Sequence, residues 1–308
     1  MHVALYFHGR LPVRGYGGTQ RVVVWLARGL AELGHQVTLL APSGSSLPEA
    51  TVVGFDPREL RRPVFDPSRF LPASADILHA HAPLRCPPAL PHVFTLHGNL
   101  GAGRKPLPNT IFLSADHARR HGGTAFVYNG VDPSEFVFRA TKDDYDLFLG
   151  RLHRTKGYRW AMEGAKRAGR RLVIAGGWRP SFRRALRFVG SVDGARKAEL
   201  LAGAACLWMP ALWAEPFGLT LVEAMMSGTP VLGTRRGALP EIVREEVGAL
   251  GDTLDDLVRL RPSVDRCDPE ECRAYGHRRF NHLRMAEQYV RMYREYITTN
   301  RLPAGNPA

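Results

Sequence analysis

The sequence predicts an α/β protein built from two parallel-sheet units. Three observations carry this. Short apolar runs of strand length alternate with segments of helical spacing through both halves of the chain. Many of the apolar runs are nearly continuous rather than alternating, as expected of strands buried on both faces of a parallel sheet. The chain of 308 residues, 44% hydrophobic and 23% charged, is long enough for two domains of about 150 residues.

Taken in order, residues 2–7 (HVALYF) read as a buried strand. A loop rich in glycine follows (Gly9, Gly15, Gly17, Gly18). Residues 21–33 then carry Val22, Val23, Leu26, Leu30 and Leu33 at helical spacing, and Gly34 stops the helix. Residues 35–41 form the next strand, completing a βαβ unit. The glycine spacing is not GxGxxG and no acidic residue ends the second strand, which excludes a dinucleotide site of the NAD type. The glycines read either as a plain mobile turn or as a backbone-lined loop that lets a phosphate or sugar approach. Residues 42–75 are rich in Pro and Arg, with a short apolar piece at 51–53 and an irregular stretch at 61–72. Strands are expected at 77–79, 92–96, 110–113 and 125–128, with a short helix capped by Ser114 and running to about Arg120. The turn Asn129-Gly130-Val131-Asp132-Pro133 ends the first unit.

The second half repeats the scheme. Strands are expected at 146–150, 171–175, 187–190, 204–209, 230–233 and 247–250. Helices are expected at 158–168, 195–201, 216–227 and 253–259, and a long helical pattern at 269–298 breaks near Gly276. Two such units facing each other leave a cleft at the C-terminal edges of the strands, where ligands bind in such sheets.

The net charge is +13, spread over both halves, and Arg dominates: the lysines are Lys105, Lys142, Lys156, Lys166 and Lys197 alone. This reads either as an Arg-rich composition without further meaning or as a surface that attracts phosphate or anionic lipid. No recognition motif accompanies the charge, so no nucleic-acid partner is expected. Cys86, Cys206, Cys267 and Cys272 form neither a CxxC pair nor a zinc spacing, and read as reduced structural residues of a cytoplasmic protein. There is no leader-like start and no apolar run near the roughly 18 residues that span a bilayer. Any membrane contact, at the inner face, is expected to be peripheral.

The residues suited to chemistry cluster in the second half. Arg151 and Lys156 follow a strand and precede a helix. They read either as solvated charges or as two cations suited to a diphosphate beside a helix N-terminus. Residues 214–234, AEPFGLTLVEAMMSGTPVLGT, hold Glu215 and Glu223. On a helix their separation is about 12 Å, beyond the roughly 5–9.5 Å of paired glycosidase carboxylates, so they are not expected to form an acid/base pair. Pro216 suits a first helical position, which puts Glu215 in a loop and makes the N–H groups of Phe217, Gly218 and Leu219 an anion seat. Flanking carboxylates suit sugar or ribose hydroxyls; the plain alternative is an amphipathic helix with two ordinary glutamates. His79 and His81 alternate at a strand end but lack a third ligand, so no metal site is expected. His97, before Gly98, is either a hydrogen-bonded core histidine or a polar residue pointing into the cleft.

Together these stretches resemble the retaining glycosyltransferases of family 4, which have the two-domain GT-B fold. The resemblance rests on GYGGTQRVV (15–23), DILHAHAP (76–83), TLHG (95–98), YNGVDPSEF (128–136), LFLGRLHRTKG (147–157), LVIAGG (172–177), FVGSV (188–192), residues 214–234 and GALPEIV (237–243). It spans nearly the whole chain, and the Glu-x7-Glu pattern in its context is highly specific. It implies two Rossmann-like domains. Residues 1–130 with about 281–308 would form the acceptor-side domain, and residues 131–280 the donor-binding domain, with the last helix crossing back near 276–282. It implies a nucleotide-diphosphate sugar as donor, a UDP-sugar favoured and a GDP-sugar possible, and no required cofactor or metal. Arg151 and Lys156 would neutralise the diphosphate, Glu223 would bind the ribose and Glu215 the transferred sugar. Backbone groups at Phe217, Gly218 and Leu219 would reach sugar or phosphate. Gly17 and Gly18 would close over the diphosphate, His97 would meet the sugar, and Val192 would hold the base through its backbone. Retention would follow from same-face attack, the leaving phosphate taking the acceptor proton.

Two departures from the family pattern stand out. The first domain is short, which leaves the acceptor open among small molecules, glycans and lipid-linked sugars. Thr19-Gln20 also stand where many relatives carry an acidic residue. The competing readings are a sugar-nucleotide-binding protein without turnover, a two-domain nonhydrolysing epimerase or phosphorylase, and a peripheral membrane transferase acting on lipids.

Overall fold

The computed structural model describes residues 1–13, 15, 17–61, 65–84, 86, 88–181 and 184–306. The chain divides into two compact units, Met1–Val131 with Asn281–Ala308, and Asp132–Phe280.

The first unit is built on six parallel strands: β1 (His2–Tyr6), β2 (Gln36–Pro42), β3 (Thr51–Phe55), β4 (Ile77–Ala80), β5 (His92–Thr95) and β6 (Thr110–Ile111). Their order is β3-β2-β1-β4-β5-β6. Every residue of β1 and β4 is buried, which is why β1 reads as a nearly continuous apolar run and why β4 is apolar but for His79. The helix α1 (Gly18–Glu32) carries the chain from β1 to β2 and buries Val22, Val23, Trp25, Leu26 and Leu30. The short α2 (Ala115–Arg120) starts where Ser114 Oγ accepts the His117 N–H at 3.1 Å.

The second unit contains β7 (Asp146–Leu149), α3 (Tyr158–Arg167), β8 (Leu172–Ala175), β9 (Leu186–Phe188), α4 (Gly194–Gly203) and β10 (Cys206–Met209). These are followed by α5 (Leu219–Met226), β11 (Val231–Thr234), α6 (Leu239–Ile242), β12 (Gly248–Gly251), α7 (Leu254–Val264) and α8 (Pro269–Phe280). The sheet is again parallel, in the order β12-β11-β10-β7-β8-β9. Beneath it lies a buried ionic cluster. Asp146 accepts two hydrogen bonds from Arg261, from Nε at 2.7 Å and Nη2 at 2.6 Å, and one from Trp208 Nε1 at 2.8 Å. Asp146 is fully buried and Arg261 is 1% exposed.

The chain then returns to the first unit through α9 (His282–Thr299), which packs on α1. A Cβ at Gly29 would lie 2.6 Å from His282 O, so glycine permits the approach. In each sheet the chain starts in the middle, moves to one edge, and comes back to the other side of its first strand. This creates a topological switch point between β1 and β4 and another between β7 and β10, the positions where such sheets bind ligands.

Several expected boundaries move. The strand expected at 125–128 is a single bridge, Phe112 to Phe126, because β6 beside it is only two residues long. The long C-terminal helix breaks at Asn281 rather than near Gly276. Asn281 Oδ1 caps α9 by accepting from Arg284 N–H at 2.7 Å, while its own backbone pairs with Val131. Gly276 lies inside α8, packed against Met225. The helix expected at 253–259 runs on to Val264, since the Arg261–Asp146 contact draws its last turn into the core. The stretch at 61–72 contains a 3₁₀ turn at Pro67–Phe70 and the end of another at Pro57–Arg61; residues 62–64 lie outside the described residues. All four cysteines are free thiols. Among the described residues no helix is long and apolar enough to cross a membrane.

Candidate functional site

In the second unit the candidates sit on loops leaving the C-terminal edge of the parallel sheet, or on the helix entered from one. The loop after β7 carries Arg151, which is exposed, and a 3₁₀ turn, Arg154–Lys156. Gly157 follows at φ 72°, where a Cβ would collide with Pro210 O. That close approach lets the loops after β7 and β10 join, with Leu212 N–H donating to Thr155 O at 2.7 Å. The join brings Lys156 to Glu215 across the switch point. Lys156 Nζ is 2.7 Å from Glu215 Oε2, and Trp213 Nε1 donates to the same oxygen at 2.8 Å. The Lys156 ammonium also stands 5.0 Å from the Trp213 ring centroid. Glu215 is 7% exposed. Charge-assisted bonds of this kind are roughly twice as strong as neutral ones, so this carboxylate is held by one oxygen in a defined orientation.

The backbone of Glu215 is fixed by the loop after β11. Ala238 N–H donates to Glu215 O at 2.9 Å, and Gly237, at φ 62°, lies so close to the Glu215 backbone that no Cβ fits.

Pro216 is not the first helical residue. The helix α5 begins at Leu219, with Gly218 as its N-cap in the left-handed region (φ 92°). Leu221 N–H already donates to Gly218 O at 2.9 Å, and the Phe217 ring is buried edge-on against Phe280 at 5.9 Å. Of the three residues expected to form an anion seat, Gly218 and Leu219 thus stand at the start of the helix and Phe217 precedes it. The 12 Å helical separation of Glu215 and Glu223 does not apply either, because only Leu219 to Glu223 of that path is helix. Glu223, 3% exposed, pairs with Lys197 Nζ of α4 at 2.7 Å. Lys142 holds the C-terminal ends of both helices, donating to Ala202 O at 2.9 Å and Ser227 O at 2.9 Å. Burial brings its pKa down to about 8. Val192 lies between β9 and α4, in a loop tied to the one after β8 by Gly176 N–H donating to Gly190 O at 2.7 Å.

In the first unit Gly17 is the N-cap of α1 and Gly18 its first residue, with no acidic side chain in the first turn. His97 lies two residues beyond β5 and is partly exposed; its Nε2 is 2.9 Å from Nδ1 of the buried His81. The hydrogen bond to His81 fits the reading of His97 as a hydrogen-bonded histidine. Burial lowers the His97 pKa to about 4 and holds His81 well below its usual range, so both rings are neutral near pH 7. His81 Nε2 is buried and makes no hydrogen bond among the described residues. The backbone beside His97 is held by His117, whose Nε2 is 3.1 Å from Gly98 O. His79 is saturated, with Nδ1 2.6 Å from Tyr293 Oη and Nε2 2.7 Å from Thr95 Oγ1, so it faces its own network rather than a ligand.

Sequence reasoning missed Trp213, Lys197 and Gly237. Trp213 and Gly237 lie within or beside motifs it had singled out, and Lys197 is one of only five lysines. Their proximity to Glu215 and Glu223 depends on chain crossings that no spacing encodes. Among the described residues no group of three His, Cys, Asp or Glu is arranged to hold a metal. A cavity of about 640 Å³ bounded by Arg235, Arg244, Glu246, Arg266, Cys267 and Glu271 includes none of the candidates.

Residues 16–132 match the model of Glycosyltransferase Family 4, and residues 145–259 that of Glycosyl transferases group 1. An alignment of 304 positions with the phosphatidyl-myo-inositol mannosyltransferase of Mycobacterium tuberculosis is 30% identical and covers 76% of this chain and 78% of that protein. A shorter one, 154 positions with an uncharacterised glycosyltransferase of Methanocaldococcus jannaschii, is 31% identical and covers 40% of this chain and 39% of that protein. The solved structure of AviGT4, a glycosyltransferase involved in avilamycin A biosynthesis, superposes with a TM-score of 0.79 at 30% identity. It covers 97% of this chain and 98% of its own.

Proposed function

This chain belongs to the family 4 glycosyltransferases and has their GT-B fold, and from that premise we propose that it moves a sugar from a nucleotide-diphosphate sugar to an acceptor hydroxyl with retention of configuration. The observation that carries the reading is the Lys156–Glu215 contact at the β7–β10 switch point. The pair is an ammonium and a carboxylate side by side on the edge of a parallel sheet where ligands generally bind, which supports a role for the first toward phosphate and for the second toward sugar hydroxyls.

In this reading Asp132–Phe280 is the donor-binding unit. Arg151 and Lys156 bind the diphosphate and balance the charge that grows on it as the bond to the anomeric carbon breaks. Glu215 reads hydroxyls of the transferred sugar and Glu223 those of the ribose. The entry of α5, from Gly218, offers backbone N–H groups, and Val192 supports the base. The other unit supplies the acceptor side, together with Gly17, Gly18 and His97. The acceptor hydroxyl attacks the anomeric carbon on the face that the phosphate leaves, and the phosphate oxygen takes the hydroxyl proton. Neither glutamate is needed as a nucleophile, and no metal or other cofactor is called for when Arg151 and Lys156 carry the charge.

The donor is a UDP-sugar by preference, with a GDP-sugar second. For the acceptor, the names of two relatives point in different directions, one to phosphatidyl-myo-inositol and the other to avilamycin A biosynthesis. The test is a thermal-shift screen of UDP, GDP, ADP and their sugars, followed by transfer assays with small-molecule, glycan and lipid acceptors. A ligand at 100 times its Kd adds about 2.7 kcal/mol of stability. If no nucleotide sugar binds or is consumed, and Glu215→Ala changes nothing, the reading fails. A product of inverted configuration would remove the retaining assignment alone.

A further inference from the structure

The reading above, on which this inference rests, gives Lys156 two tasks that compete. Its ammonium is bonded to Glu215 Oε2 at 2.7 Å, yet it is also the cation assigned to the diphosphate. A diphosphate carries more charge than one carboxylate and draws the ammonium toward itself. Glu215, 7% exposed, would then be left as a buried carboxylate without its cation, a costly state and one free to rotate. A second donor is already in place. Trp213 Nε1 reaches the same oxygen at 2.8 Å, and it belongs to a segment whose backbone is pinned on both sides. Leu212 N–H donates to Thr155 O at 2.7 Å, and Glu215 O accepts from Ala238 N–H at 2.9 Å. The Trp213 ring also lies 5.0 Å from the Lys156 ammonium, a cation–π distance.

We propose that Trp213 is a positioning residue for the donor sugar. Its indole N–H keeps Glu215 Oε2 in place while Lys156 turns to the diphosphate, so that Oε1 stays aimed at a sugar hydroxyl. Lys156 thereby serves the part of the donor common to all nucleoside diphosphates, and the Trp213–Glu215 pair serves the sugar. The two contributions separate when a nucleoside diphosphate is compared with its own sugar.

The experiment is calorimetric titration of UDP, UDP-glucose, GDP and GDP-mannose into the wild-type protein and into W213F, W213H and K156M. The nucleotide pair that wild type binds is the one compared, and each variant is first checked for a cooperative melt. W213F keeps a ring but loses the N–H; W213H keeps a ring N–H. The expected result is that W213F leaves the affinity for the bare diphosphate within twofold and weakens the sugar nucleotide about tenfold, with W213H recovering part of that loss. K156M weakens both ligands together. If W213F weakens both equally, or neither, Trp213 has no positioning role while the donor site stands; should W213F not melt cooperatively, the same comparison is made between W213H, which keeps a ring N–H, and W213L, which has none, and equal sugar preference in the two refutes the role. Wild-type protein that binds none of the four ligands overturns the donor-site reading and this inference with it.

Discussion

Replacing Lys197 with methionine tests how tightly the second candidate carboxylate is bound into the fold. The Lys197 Nζ–Glu223 Oε1 pair is 2.7 Å long, and the two side chains are 12% and 4% exposed. Methionine keeps most of the volume of the lysine stem but leaves the Glu223 carboxylate buried without its cation. Breaking a buried pair from one side costs about 3–5 kcal/mol. The residual exposure of Lys197 puts this case at the lower end, about 3 kcal/mol. For a unit of about 150 residues that corresponds to a fall in Tm of about 6–12 °C. In the double variant K197M/E223Q the stranded charge is gone, and most of the loss should return, giving a coupling of about 2 kcal/mol. Trp160, Trp178, Trp208 and Trp213 all lie in Asp132–Phe280, against Trp25 alone in the other unit, so tryptophan fluorescence follows the correct transition. The assay is thermal unfolding at pH 7.5 without ligand, at low and high salt. A Tm within 2 °C of wild type for K197M, or simple additivity in the double variant, would refute the view that Glu223 is held as a desolvated ion pair.

Three further outcomes follow from the same geometry. Asp146→Ala takes away two of the carboxylate hydrogen bonds of the buried Arg261, leaving Nη1 on Asp265 at 2.7 Å, and should cost about 3 kcal/mol in urea unfolding, whereas D146L/R261M should lie much nearer wild type; equal losses would show that the cluster is not a desolvated pair. His79, His81, His97 and His117 all have folded pKa values pushed below 6.5 by burial, His97 to about 4 and His117 to about 3. Between about pH 6.5 and these values the unfolded chain binds more protons than the folded one, so stability should fall as pH drops through this window and stay flat with respect to these groups above it; histidine NMR titration with thermal melts from pH 7.5 to 4 would expose a contrary trend. Gly237→Ala forces a Cβ into the Glu215 backbone from a φ of 62° and should lower kcat/KM about 100-fold through misplacement of the carboxylate; wild-type turnover in that variant would show that the loop after β11 does not position Glu215.

The strands were legible because parallel sheets bury both faces. HVALYF and LVIA, for example, have to be continuous apolar runs, and their positions could be read to within a residue or two. Element ends were less legible where a tertiary contact decides them. Nothing local extends α7 to Val264; the Arg261–Asp146 pair does, between residues 115 apart in sequence. Nothing local delays α5 to Leu219 either, since Pro216 is an acceptable first helical residue. The left-handed Gly218 and the burial of Phe217 against Phe280 accompany the later start.

Glu215, Glu223, Arg151, Lys156 and His97 were legible as candidates from residue type and motif alone. Their partners were not. Lys156 meets Glu215 only because Gly157 lets two loops touch, Lys197 meets Glu223 only because α4 lies beside α5, and His81 meets His97 only because β4 and β5 are neighbours in register. By itself the sequence determined the alternation of strand and helix, the two units and the family motif, because burial period and turn chemistry are local properties of a chain. Tertiary structure alone decided which charges neutralise each other and which atom of each carboxylate is held. Those depend on distances of about 3 Å between residues far apart in sequence, over which the energy of a charge pair changes most steeply.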